Sequence, residues 1–319
     1  MQVITIGETM AVFTPNQRGK MRYASSYKRS FAGAESNVAI ALANLNIQVS
    51  WISQLGEDEL GHAIYSLMKG HSVDTSNVTF TTKAPTGIML KENRSVATTN
   101  VYYYRQNSAF AHIQKAQIDE SLFKQAKILH ITGITPLLSE SAYEACMECV
   151  RFAQKHQMRI FFDPNLRMKL LSDSNQIARL KELAMHSHFF MPNVHEAQFL
   201  FNLTSADPKV ILDHLSSEIK ATIILKDGNR GTYFVSPEES GYVEAFQVEE
   251  VDPIGAGDAF AAGIIYSTLQ KGSLKDSVLI GNAMGAMAVM AEGDIENLPT
   301  TEELDRFLKQ TTGNENVFR

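Results

Sequence analysis

Short apolar runs alternate with amphipathic stretches along most of this chain, and no other feature constrains its fold as strongly. VITIG (3–7), VSWIS (49–53), KILHITG (127–133), RIFFD (159–163), FFMPN (189–193) and ATIILKD (221–227) have the length and composition of buried strands. Between them lie SNVAIALANL (36–45), LGHAIYSLMKG (60–70), a stretch at 140–156 and another near 175–186, where apolar residues recur at helical spacing. A strand buried on both faces and a helix with one apolar stripe cover each other in βαβ units. The expected fold is therefore α/β: a doubly wound, mostly parallel central sheet flanked by helices. With 319 residues, 44% hydrophobic and 20% charged, the chain is expected to form one domain over 1–319. The tail after Gly313 is polar and is expected to fray.

Two stretches break the alternation. Residues 8–32 follow the first strand without a clear helix. Residues 84–108 hold two β-rich runs, TGIMLKE and TTNVYYYR, separated by a polar turn. Both suit extra strands set apart from the main sheet. Paired, they would form a small β-sheet lid across the strand ends where doubly wound sheets bind ligands. A lid with an exposed aromatic face also offers a surface for a homo-oligomer.

Charge and cysteine usage narrow the function classes. A net charge of -6 argues against nucleic acid or an anionic membrane as main partner. No segment approaches the roughly 18 uninterrupted apolar residues of a membrane span. MQVITIGETMAVF lacks the basic stretch and long apolar run of a signal peptide. Two cysteines in such a chain point to a reducing compartment, so a cytoplasmic location is expected. Cys146 and Cys149 form a C-x-x-C pair inside SESAYEACMECVRFAQKH; one pair cannot complete a four-ligand zinc site, and they read as two helix thiols without a shared task.

The chemistry concentrates in VDPIGAGDAFAAGIIYSTLQ (251–270). A turn holds Gly255, Ala256 and Gly257, followed by Asp258 and an apolar-periodic run that must be a helix. Glycines at a helix start let backbone N–H groups converge, and those amides with the helix dipole bind phosphate oxygens. A carboxylate beside that anion hole can accept a proton from a hydroxyl as it attacks the γ-phosphorus of ATP. Taken alone, the same residues also suit a tight turn and an ordinary first-turn acid.

D-x-x-G-A-G-D followed by Ala, Phe, Ala and Ala resembles the second signature of the ribokinase-like (PfkB) carbohydrate kinases. The resemblance implies that Asp258 is the catalytic base and that Gly255, Ala256 and Gly257 form the anion hole. Many members carry Thr after the first Asp, where this chain has Pro253, a residue that still allows the turn.

Further motifs match in order. FAGAESNVAIALANL is similar to the first family signature, with Ala32 in place of the first of two glycines; it implies that Gly33 lets the backbone approach the sugar while Asn37 bonds a hydroxyl. A plain turn with a polar first-turn residue is the alternative. MPNVHEAQFL resembles the N-x-x-E element, implying that Asn193 and Glu196 organise phosphate and Mg²⁺, Glu196 through water; a helix cap with a first-turn acid is the alternative. IILKDGNRGTYF implies a nucleotide loop at Lys226, Gly228 and Gly231, against a hairpin turn. Asn282 in LIGNAMGAMAVM matches a position that flanks the adenine, although a small-residue packing face explains that helix equally well. The implied cofactors are ATP as phosphate donor and Mg²⁺, with a monovalent-cation requirement left open.

The substrate is the finer question. VYYYRQNSAF places three tyrosines and Arg105 at the end of the second lid segment, and DPNLR places Arg167 just past a strand end. Two guanidinium groups near one pocket in an acidic protein suit a carboxylate, so a small sugar acid is expected. Phosphate binding or a surface salt bridge is the alternative for Arg167. GETMAVF, GAESN, YYYR and DPNLR together resemble the ketodeoxygluconate kinases of the family, which implies that Tyr103, Arg105 and Arg167 face the substrate. Met89 stands where many of these have a second lid tyrosine. Fructokinases share the Tyr-Arg and DPNLR motifs, and Glu35, where they usually have Pro, separates this chain from them. A catalytically inactive sugar-binding regulator on the same fold is the non-enzyme alternative; the intact Asp258 and G-A-G argue against it.

Overall fold

The computed structural model describes residues 1–95, 98–171 and 174–312; residues 96–97, within the stretch expected to turn between the two lid runs, 172–173 and the tail from Gly313 lie outside them. The strands are β1 (Val3–Ile6), β2 (Met10–Pro15), β3 (Tyr27–Ala32), β4 (Val49–Gly56), β5 (Val78–Thr81), β6 (Ile88–Ser95), β7 (Thr98–Tyr104), β8 (Ile128–Thr132), β9 (Arg159–Asp163), β10 (Phe189–Phe190), β11 (Thr222–Lys226), β12 (Gly231–Val235) and β13 (Ser240–Glu244). The helices are α1 (Ala34–Asn44), α2 (Glu59–Gly70), α3 (Glu140–Lys155), α4 (Ser174–His186), α5 (Val194–Phe201), α6 (Pro208–Glu218), α7 (Ala256–Leu269), α8 (Leu274–Ala288) and α9 (Thr301–Thr312).

Among the described residues, nine strands form the main sheet in the order β13-β12-β11-β10-β9-β8-β1-β4-β5. From β11 to β5 every pairing is parallel, while β12 and β13 close one edge as an antiparallel hairpin. The chain runs outward from β1 to β4 and β5, then returns to β8 and proceeds the other way. The strand order therefore reverses at β1/β8, the crevice where such sheets bind ligands.

Strand residues alternate between two cores. Ile4, Leu129 and Phe162 point to the face covered by α3, α4, α5 and α6. Val3, Ile128, Phe161 and Ile224 point to the face covered by α1, α7 and α8. Because both faces are buried, these strands are continuous apolar runs rather than alternating ones.

The expected strand FFMPN is shortened to two residues. Pro192 has no N–H to give a ladder, and Asn193 already caps α5. The hairpin β12–β13 was not expected as strand; its turn residues resemble a loop, and its edge position needs only half an apolar pattern. The two breaks in the alternation do pair into a separate four-stranded sheet in the order β3-β2-β6-β7. Its central pairing, β2 with β6, is parallel and joins the two segments. No helix among the described residues is long and apolar enough to cross a membrane.

Candidate active site

The C-terminal ends of β9 and β11 and the start of α5 bring Asp163, Lys226 and Asn193 to one rim, facing the start of α7. Between them lies a cavity of about 690 Å³. The turn Pro253–Asp258 lines it, together with Glu196, Arg167, Gly228 and Asn282. Gly255 is the N-cap of α7 at φ 79, and a Cβ there would come 2.6 Å from the carbonyl oxygen of Asp294. Left-handed backbone and close approach both demand glycine at this position. A Cβ on Gly257 would meet no described atom within 4 Å, so the backbone at that point borders open space. The first-turn amides of α7 have no acceptor inside the helix, which leaves donors and a positive dipole end at the cavity wall.

Asp258 sits in the first turn of α7 and is 8% exposed. Its Oδ2 accepts a hydrogen bond from Asn37 Nδ2 at 2.8 Å, and its Oδ1 accepts one from Asn165 Nδ2 at 3.2 Å. Burial pushes its carboxyl up to about 7; the Asn37 bond and the charge of Arg167 oppose the rise, while Asp294 and Asp163 add to it. A carboxylate poised there can act as a general base near neutrality. Asn37 Nδ2 also reaches Asp294 Oδ2 at 3.3 Å, and burial pushes that carboxyl up to about 6. Asp294 is a site residue that the sequence reading missed. Its only signal is a polar loop acid after a glycine, which is too common to single out.

Lys226 Nζ donates to Asp163 Oδ2 at 2.6 Å. Burial works to strip its proton, but Asp163, Glu196 and Asp258 outweigh that and hold the ammonium above its usual range. Glu196 closes a reciprocal cap on α5: its N–H donates to Asn193 Oδ1 at 2.9 Å, and its Oε2 accepts from the N–H of Asn193 at 2.8 Å. Its Oε1 accepts from the N–H of Leu166 at 2.8 Å. Burial raises this carboxyl, with Lys226 opposing. The cap is thus present, and the residue lines the cavity as well. Among the described residues no three His, Cys, Asp or Glu converge on a metal-sized space. One or two carboxylates with acceptor capacity left fit Mg²⁺ held through water and phosphate, not an all-protein cage.

Two of the expected nucleotide contacts, Asn282 and Gly231, also make contacts with the β12–β13 hairpin. Asn282 lines the cavity, but its Oδ1 accepts from Thr232 Oγ1 at 2.7 Å and its Nδ2 donates to the carbonyls of Val243 and Glu244 at 3.1 and 3.0 Å. Its amide ties α8 to the β12–β13 hairpin. Gly231 opens β12 with φ 134 and packs against the carbonyl of Val243, serving the hairpin and not the cavity wall.

On the lid side, Arg105 is 7% exposed and already engaged. Its Nε and Nη2 both donate to Glu8 Oε2 at 2.6 Å. Glu8, just past β1, was also missed; its Oε1 is buried with no partner among the described residues. The Arg105 guanidinium lies 5.8 Å from the Tyr103 ring centre. Met89 is directly opposite Tyr103 in the β6–β7 ladder, and Tyr103 and Met89 therefore share one lid face. Arg167 is exposed at the cavity edge. Gly33 caps α1 where a Cβ would come 2.5 Å from the Glu8 carbonyl, so its small size admits the neighbouring chain; Ala32 is buried at the end of β3. Glu35 is fully enclosed, accepting from Thr132 and Thr135 at 2.6 and 2.7 Å. It stands behind the site, not on its surface. Two lysines tie lid to body: Lys91 pairs with Asp252 at 3.1 Å, and Lys169 donates to the Val101 carbonyl at 2.7 Å.

The model of the pfkB family carbohydrate kinases matches residues 1–301. The chain is 36% identical over 311 residues to the 2-dehydro-3-deoxygluconokinase of Bacillus subtilis (strain 168), covering 97% of this chain and 95% of that protein. It is 27% identical over 316 residues to the probable fructokinase-5 of Arabidopsis thaliana, covering 96% and 97%. Its fold matches the crystal structure of a PfkB protein from Polaromonas sp. JS666 with TM-score 0.86 and 31% identity, covering 96% and 99%. A putative ribokinase II from E. coli, solved in complex with ATP and Mg²⁺, shares the fold with TM-score 0.88 at 24% identity, covering 97% and 99%.

Proposed function

The chain belongs to the pfkB family of carbohydrate kinases, and on that premise we propose that it transfers the γ-phosphoryl group of ATP to a small sugar acid, 2-keto-3-deoxygluconate, to give the 6-phosphate. The observation that carries the chemistry is Asp258: a buried carboxylate held at both oxygens, at the edge of a glycine-built helix N-terminus. Asp258 takes the proton of the attacking hydroxyl as its oxygen bonds to the γ-phosphorus and the bond to the ADP oxygen breaks. The amides of Gly255, Ala256 and Gly257 hold the charge that builds on the transferred group. Lys226 supplies a fixed cation on the phosphate side. Glu196, through water, would hold Mg²⁺, which neutralises phosphate charge. Asn37 orients Asp258, and Asp294 offers a further acceptor at the sugar.

For the substrate, the support is the pair Arg105 and Arg167, with Tyr103 beside Arg105, and the Bacillus subtilis relative. One observation favours a neutral sugar such as fructose as the second reading: Glu8 already balances the charge of Arg105. The decisive experiment is a coupled ATP-turnover assay with ketodeoxygluconate, fructose, ribose and adenosine. The sugar-acid reading expects the highest kcat/KM for ketodeoxygluconate, and a higher value for fructose replaces it with a fructokinase. The lid should also join copies of this chain: Tyr102 and Tyr104 are 42% and 64% exposed on β7. Light scattering that gives a monomer at all working concentrations removes that pairing.

A further inference from the structure

The structure assigns Asn165 a positioning role: its side-chain amide holds one oxygen of Asp258 while Asn37, from the other side, holds the second. The inference rests on Asp258 being the base, and it adds a residue on which that base depends.

Asn165 follows β9 with φ 41, a left-handed conformation that asparagine tolerates better than other side-chain-bearing residues. Its backbone N–H donates to Asp163 Oδ1 at 3.2 Å, and the other oxygen of Asp163 is bound by Lys226 Nζ at 2.6 Å. Asp163 is itself 2% exposed. The strained residue is thus anchored at its backbone by a buried ion pair, and the anchoring sets where its side chain goes. The chain Lys226–Asp163–Asn165–Asp258 links the phosphate side of the cavity to the base.

Each carboxylate oxygen has room for two acceptor contacts. One amide on each oxygen fixes the carboxylate plane and leaves the remaining positions for the substrate hydroxyl. Both amides are neutral donors, so they favour the ionised carboxylate without pairing off its charge. The charged groups around Asp258 work in both directions: Arg167 past β9 favours ionisation, Lys226 on β11 lies on the same side, and Asp163 on β9 and Asp294 before α9 oppose it. Losing the Asn165 amide shifts that balance toward the neutral acid.

The test compares Asn165→Gly and Asn165→Asp by the pH dependence of kcat/KM. Glycine keeps the left-handed backbone and removes the amide. Aspartate tolerates the backbone and replaces a donor with a like charge. The expected result for Asn165→Gly is a fall of about tenfold in kcat, with the acid limb moved up by about one pH unit and KM for ATP nearly unchanged. Asn165→Asp should move the acid limb further up. Should the glycine variant not fold, the aspartate variant decides by itself. An acid limb that stays in place in the folded variants, or a loss confined to KM for ATP, overturns the inference. Asp258→Asn run alongside separates the two levels. If it keeps its turnover, the base assignment has failed, and the inference with it. If it is inactive while the Asn165 variants titrate like wild type, only the positioning role has failed.

Discussion

Replacing Asp258 with Asn should make the protein more stable and nearly inactive, and both effects can be worked out beforehand. The carboxyl moves from an ordinary 3.8 in the unfolded chain to about 7 in the fold. Its folded value is raised, so the stability it contributes is complete below about 3.8 and is lost as pH rises through about 7. Three units at 1.36 kcal/mol each give a cost of about 4 kcal/mol at pH 8 and above. Asparagine does not titrate and avoids that cost. It has its own penalty: one of the two donors, Asn37 or Asn165, would face an NH₂ group, at about 1–3 kcal/mol. The variant should therefore exceed wild type by about 1–3 kcal/mol at pH 8.5. Its advantage over wild type should grow by roughly 1.4 kcal/mol per pH unit between 4 and 7, then level off. Turnover should fall by roughly 10² or more, the scale of a lost general base. Urea unfolding at five pH values from 5 to 8.5, with kcat on the same samples, reads both. A stability difference that does not vary with pH would falsify the buried, titrating carboxylate, and retained turnover would remove Asp258 from the base role.

Arg167→Leu is the cleaner test of sugar acidity, because Arg105→Leu would also strand the buried Glu8 and destabilise the fold by about 3–5 kcal/mol. It should raise KM for ketodeoxygluconate about tenfold to a hundredfold, with a smaller change for fructose, and equal losses would contradict a carboxylate contact. His130 is buried in β8 with both ring nitrogens unpaired among the described residues, and burial pushes it down to about 3. Its neutral form is the folded one, so stability is present above 6.5 and falls as pH drops toward 3; at pH 5 the loss is about 2 kcal/mol, and a His130→Leu variant with wild-type acid sensitivity would refute this. Lys91→Met removes the ion pair between lid and Asp252 and should raise sugar-independent ATP hydrolysis several-fold, measured as ADP release without sugar; an unchanged rate rejects a latch.

Much of the architecture was legible because it rests on short-range rules. RIFFD spans β9 to the residue, since an apolar run needing cover on both faces is recognisable without its neighbours. Gly255 and Asp258 were legible as a helix start for a similar reason: left-handed backbone and a first-turn acid are properties of consecutive residues. The lid was visible as a failure of the alternation at 8–32 and 84–108, although the parallel β2–β6 pairing that makes it one sheet was not.

Side-chain partnership was beyond the sequence's reach. Asp258 meets Asn37 and Asn165 across 221 and 93 residues, and Asn37 meets Asp294 across 257. Arg105 was expected to face the substrate, and its ion pair with Glu8, 97 residues away, had no signal in the sequence. Asn282 was expected at the adenine; it lines the cavity, and its bonds to the hairpin could not be read from the sequence. The sequence by itself determined which segments become strands, which turns require glycine and which family signature the chain carries, because each depends on neighbours in the chain. The tertiary structure alone decided which polar groups are already satisfied, because a hydrogen bond is set by distances of about 3 Å between atoms that only the folded chain brings together.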